Sequence, residues 1–153
     1  MLARHASQAP EKQALVFLGS EGEPVEALTY SAVWTGAARV AAHLREQRCA
    51  GAPVLIVARS ERDFSLAFLG CLLSGAIAVP LGAPEPARLL RYRSRRGAVV
   101  RDARPVALLG SDDERVLLGE LGAELAAVPW ISLEEAERAG GREEGDGRIG
   151  RPV

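Results

Sequence analysis

Apolar residues recur along this chain with two different periods, and the periods alternate. Ala14 to Leu18 (ALVFL) is a short apolar run that predicts a strand. Gly19 to Pro24 supplies turn residues, and a return strand ends at Leu28-Thr29-Tyr30. From Ser31 to Gln47, the positions Val33, Ala37, Val40, Ala41 and Leu44 fall three or four apart, the spacing of one helix face. Gly51 to Pro53 breaks that helix, and Val54 to Ala58 (VLIVA) runs apolar without alternation. Such a run suits a strand covered on both faces.

Ser60 and Asp63 open the next helix, because a hydroxyl at the cap and a carboxylate three residues on can answer orphan amides. That helix is expected from about Asp63 to Leu73, followed by a turn at Ser74-Gly75 and a buried strand from Ala76 to Val79. A further helix is expected over Pro86 to Asp102, interrupted at Gly97, then a short strand from Val106 to Leu109. Ser111 with Glu114 repeats the cap ahead of a helix over Arg115 to Leu125, and Ser132 with Glu135 does so again. Strands alternating with helices predict an α/β fold with a mostly parallel sheet flanked by helices. Residues 1–139 read as one unit, and the Gly-rich polar stretch 140–153 reads as a disordered tail.

Phe64 to Pro84 carries no charge, which is near the ~20 residues that span a bilayer. Ser74-Gly75 interrupts it, and Pro80, Gly82 and Pro84 follow, so helix, turn and buried strand fit better. Leu66, Leu69, Leu72 and Leu73 are more apolar residues than one helix face needs, which predicts a surface that associates.

Composition changes this picture little. The 153 residues are 48% hydrophobic and 25% charged with a net charge of −1, so disorder and a general pull toward nucleic acid are both disfavoured. All the basic residues but Lys12 are arginine, so no GxxxxGK[ST] phosphate loop is present, and no GxGxxG or GxSxG occurs. The absence of a glycine fingerprint also argues against an unrelated dinucleotide-binding domain. Cys49 and Cys71 have neither disulfide-framework nor zinc-ligand spacing, which suits a reducing, cytoplasmic setting. His5 and His43 each lack a metal-ligand partner at helical spacing. Asp112, Asp113 and Glu114 follow Ser111, so they are expected to complement a helix N-terminus rather than to catalyse. Arg88, Arg91, Arg93, Arg95, Arg96, Arg101 and Arg104 form the one charge-dense stretch. It is expected to be a solvated face rather than a site for a phosphate or an acidic partner surface, and an intramolecular counterweight at Glu134, Glu135 and Glu137 stands equally open.

Two stretches resemble a known family. Leu28-Thr29-Tyr30 before a helix is similar to the first core motif of adenylate-forming enzymes, and AFLGCLLSGAIAVPL over Ala67 to Leu81 is similar to the second. Phe68-Leu69-Gly70-Cys71-Leu72 and Ala78-Val79-Pro80 most resemble fatty acyl-AMP ligases. Ala9-Pro10-Glu11, Gly51 to Ala58 and Asp102-Ala103-Arg104-Pro105 agree in order, over roughly residues 1–135. Ala32 departs from the pattern, since the family commonly has an acidic residue there, and that costs a cap rather than a catalytic group.

The resemblance implies the first half-lobe of the family's N-terminal domain. It implies a parent that uses ATP and magnesium to convert a fatty acid to an acyl-adenylate. The acyl group would then pass to an acyl carrier protein in lipid, polyketide or nonribosomal peptide assembly. The family's phosphate loop, adenine- and ribose-binding motifs and catalytic lysine follow this region, and no position here matches one. The chain is therefore expected to hold no catalytic, cofactor-binding or metal residue, to be inactive alone, and to pair with the remainder of the ligase domain or a complementary chain. The alternative is a truncated or split homologue acting as a non-catalytic protein-binding module.

Overall fold

In the computed structural model, the described residues are 1–81, 98–119 and 127–139. They form α1 (Leu2–Gln8), β1 (Gln13–Leu18), β2 (Pro24–Thr29), α2 (Tyr30–Glu46), β3 (Pro53–Val57), α3 (Glu61–Ser74) and β4 (Ile77–Pro80). A short helix over 98–103, α4, precedes β5 (Ala107–Gly110), α5 (Asp112–Gly119), β6 (Trp130–Ser132) and α6 (Leu133–Ala139). β1 and β2 make an antiparallel hairpin, and the other four strands form a parallel sheet in the order β4-β3-β5-β6. This is the α/β architecture that the alternation predicts.

The sheet explains why VLIVA has no polar positions. Val54 and Ile56 point to one face, where Val40, Leu44, Ala67 and Cys71 of α2 and α3 cover them. Leu55 and Val57 point to the other, against Leu81, Val100 and Leu118. In register beside them, Ala107 and Leu109 join the first face and Leu108 the second. With both faces covered, every side chain from Val54 to Val57 is 1% exposed or less. The helix face read from the sequence is the buried one: Val33, Ala37, Val40, Ala41 and Leu44 of α2 are all in the core. Thr29 caps that helix, its Oγ1 accepting from the Ala32 N–H at 3.2 Å.

Two glycines set how α3 sits. Gly70 lies where α3 crosses α2, and a Cβ there would fall 2.4 Å from Val40 Cγ1. The Phe68-Leu69-Gly70-Cys71-Leu72 motif therefore carries a close helix–helix approach. Gly75 ends α3 at φ 82° with open space around its α-carbon. The Ala76 N–H donates to the Cys71 carbonyl at 3.0 Å and the Gly75 N–H to that of Leu72 at 3.4 Å, a Schellman pair.

Several expectations are corrected. The sequence reading has no helix at α1 and no strand at β6. α3 begins at Glu61 rather than Asp63 and ends one residue later than expected; α5 begins at Asp112 rather than Arg115. The four leucines do not form one associating face: Leu66 is buried, Leu69 and Leu73 are half-buried, and only Leu72 stands out at 55% exposure. The reason is that α3 is wedged between α2 and the sheet, so most of its circumference is covered. Most of the helix expected over Pro86 to Asp102, the end of the one expected to Leu125, and the tail 140–153 lie outside the described residues. Among the described residues, no helix is long and apolar enough to cross a membrane.

Candidate functional site

Open parallel sheets bind ligands beyond the carboxyl ends of their strands, where successive connections leave in opposite directions. Here that point lies between β3 and β5, since the chain goes from β3 to β4 on one side and then to β5 on the other. The helices that follow these strands present amino ends there, as anion sites do.

Glu114 fills the gap. One carboxylate oxygen accepts from the Arg59 N–H at 2.6 Å, and the other from the Ser111 N–H at 2.8 Å and hydroxyl at 2.9 Å. The Ser111 Oγ accepts in turn from the Glu114 N–H at 3.4 Å, which completes the capping box read from the sequence. Glu114 is 3% exposed and joins the end of β3 to the end of β5. Between β5 and β6, the Glu134 carboxylate accepts from the Asp112 N–H at 3.3 Å and the Ser132 hydroxyl at 3.1 Å. The Ser60 and Ser132 hydroxyls accept from the amides of Asp63 and Glu135, each at 3.2 Å. The chain's own oxygens thus occupy the amino ends of α3, α5 and α6. Glu114 serves in this cap, while Asp112 and Asp113 lie exposed in the first turn of α5.

Arg62 stands beside this edge and holds three elements together. It reaches Glu26 of β2 at 3.2 Å, Asp63 at 2.9 Å and Glu137 of α6 at 3.2 Å. Burial pushes its pKa down, but Glu137 and Asp63 outweigh burial and leave the guanidinium raised above its ordinary value. Among the described residues, Glu134 accepts from Ser132 and the Asp112 amide, and Glu137 from Arg62; a role of the acidic run as counterweight to the arginine stretch falls on residues mostly outside the described ones. Arg88, Arg91, Arg93, Arg95 and Arg96 lie outside the described residues; Arg101 belongs to α4, and Arg104 follows it at φ 46°.

The opposite, amino edge of the sheet has a cavity of 260 Å³ lined by His43, Gln47, Cys49, Trp130 and Glu135 among others. His43 Nδ1 and Trp130 Nε1 are shielded from solvent there and have no hydrogen-bond partner among the described residues. Glu46 lies 3.6 Å from the same His43 nitrogen. His5 packs its ring against Tyr30, with the centroids 5.1 Å apart. Burial raises the Cys49 thiol pKa and pushes that of Cys71 up to about 12, so both are held as unreactive thiols. Among the described residues, no group of three or more His, Cys, Asp or Glu could hold a metal ion. With the helix amino ends self-capped and no such group, the described residues do not fit a nucleotide with magnesium.

The profile of the AMP-binding enzyme family matches residues 2–145. The long-chain-fatty-acid–AMP ligase FadD26 of Mycobacterium marinum is 37% identical over 112 residues, covering 71% of this chain and 19% of that one. The medium-chain-fatty-acid–[acyl-carrier-protein] ligase JamA of Moorena producens is 28% identical over 132 residues, covering 84% and 22%. Among solved structures, the fatty acid AMP ligase from Legionella pneumophila superposes with a TM-score of 0.73 at 28% identity, over 92% of this chain and 24% of that one. The chain spans about a fifth of the length of these curated relatives.

Proposed function

Because the chain belongs to the AMP-binding enzyme family, we propose that it is the N-terminal scaffold segment of a fatty acyl-AMP ligase. In this reading, the whole ligase activates a fatty acid with ATP and magnesium to an acyl-adenylate and passes the acyl group to a carrier protein. It does so in the cytoplasm, for lipid, polyketide or nonribosomal peptide assembly. JamA, whose name includes acyl-carrier-protein ligation, supports the choice of acceptor.

The carrying observation is the superposition of 92% of the chain on 24% of the Legionella ligase, with a TM-score of 0.73. The self-capped carboxyl edge supports the division of labour, since helix amino ends already occupied by Glu114 and Ser60 offer no phosphate cradle. The chain's own residues therefore orient and support, and they hold no substrate. No observation favours the alternative of a stand-alone binding module.

A segment exchange tests the reading. This chain replaces the superposed segment of the Legionella ligase, and fatty-acid-dependent exchange of pyrophosphate into ATP is measured. The chimera is expected to fold and to catalyse the exchange. A chimera that melts cooperatively yet gives no exchange would contradict a scaffold that is interchangeable within this family.

A further inference from the structure

The 260 Å³ cavity at the amino edge of the sheet is walled by three elements. His43 and Gln47 come from the end of α2, Val106 and Ala107 from the start of β5, and Glu135 from the first turn of α6. Backbone bonds pin these walls. The Cys49 N–H donates to the Leu44 carbonyl at 2.9 Å, and the Val106 N–H donates to that of Pro53 at 2.9 Å. The Glu135 N–H donates to the Ser132 hydroxyl at 3.2 Å. Walls held in this way need little ordering when a ligand enters.

The lining is of two kinds. Val106, Ala107 and Ile131 supply apolar surface, and His43 and Glu135 supply polar groups. His43 Nδ1 is shielded from solvent and has no hydrogen-bond partner among the described residues. With the imidazole proton on Nε2, that nitrogen is an acceptor. The Glu46 carboxylate lies 3.6 Å from it, too far for a hydrogen bond and close enough to add negative charge. Two cations on the same helices are engaged elsewhere: Arg45 donates to the Leu73 carbonyl, and Arg138 donates to that of Glu134 at 3.1 Å. Among the described residues, these acceptors do not form a group that could hold a metal ion. An ammonium group complements them better, because it brings a positive charge and three donors that can be shared among several acceptors.

We infer that this cavity is a binding site for a small organic amine. The ammonium group sits by His43 Nδ1 and the carboxylates of Glu46 and Glu135, and the apolar body lies against Val106, Ala107 and Ile131. A cavity of about 150 Å³ is enough for benzene, so this larger one has room for an aryl or short alkyl amine. The site lies at the edge opposite to Glu114 and Ser60, and it does not depend on the ligase reading. A bound amine touches α2, β5 and α6 together, so it stabilises the folded chain by mass action.

Titration of the ¹⁵N-labelled 153-residue chain with 2-phenylethylamine, followed by amide NMR and thermal melting, tests the inference. Saturable shifts are expected at Gln47, Cys49, Val106 and Glu135, together with a raised Tm. The uncharged 2-phenylethanol is expected to bind about fivefold more weakly, and 3-phenylpropanoate not to bind. Glu46→Gln and Glu135→Gln change exposed side chains. Each is expected to weaken the amine about fivefold and to leave the alcohol unchanged. Equal binding of the amine, the alcohol and the carboxylate overturns the site. So do amine shifts that map to other residues, the absence of saturation by about 10 mM amine, or unchanged amine binding in both folded variants.

Discussion

A carboxylate buried as deeply as Glu114 must find donors, and it finds two backbone amides and a hydroxyl. Glu114→Ala leaves those amides without partners and is expected to cost about 2–4 kcal/mol, with Glu114→Gln costing less because one acceptor oxygen remains. Urea denaturation reads both. The Ser111–Glu114 half of this arrangement was legible in the sequence because a capping box is local. The bond to the Arg59 amide was not, since it joins groups 55 positions apart that only the sheet register brings together. The same holds for Arg62 and Glu137. Cys71 gives a pH prediction. Its thiol ordinarily titrates near 9.0 and is pushed up to about 12 by burial and by Cys49. Between those values the unfolded thiol ionises while the folded one stays protonated, so the folded state binds more protons and stability falls as pH rises. The slope is at most about 1.4 kcal/mol per pH unit, and Cys71→Ala is expected to flatten it in denaturation curves taken between pH 8.5 and 11.

Elements differ in how openly the sequence declares them. The α2 face and the β3 run were plain, because a long periodic helix and an unbroken apolar strand each leave an unambiguous period. The three-residue β6 follows Pro129 and is too short to show a period, and α1, with no buried residue, has no apolar face to read. Gly75 was legible as a turn, and its role is conformational rather than steric. Gly75→Val is expected to cost about 1–3 kcal/mol through a β-branched residue forced to positive φ, and Gly75→Asn less. Thermal melts and soluble yield check this. In the sequence Gly70 is visible only as part of a motif, and the helix crossing supplies its physical reason. Gly70→Ala gains about 1 kcal/mol of helix propensity. It also overpacks Val40 by an expected ~1–3 kcal/mol, so it destabilises on balance. Val40→Ala in the same chain makes room, so a double-mutant cycle is expected to show favourable coupling.

At the scale of the whole molecule, the central strands β3 and β5 are covered on both faces and bridged at their carboxyl ends, and a hairpin tied to α3 lies beside them. Arg62 ties the hairpin to α3 and α6, so Arg62→Gln is expected to raise amide exchange in β1 and β2 while leaving β3 and β5 protected. The architecture and the family were legible because alternating periods and two ordered motifs survive in a single sequence. The exposure of Val16 and Leu18 was not, because both read as core residues of an apolar run. In the proposed function, this chain gives support and the steps of adenylation fall to the rest of the ligase. Acid-dependent exchange of labelled pyrophosphate into ATP by the purified 153-residue chain tests that most directly. With a long-chain fatty acid and magnesium, the exchange is predicted to match the blank without acid. A reproducible, acid-dependent signal that scales with protein concentration would contradict it.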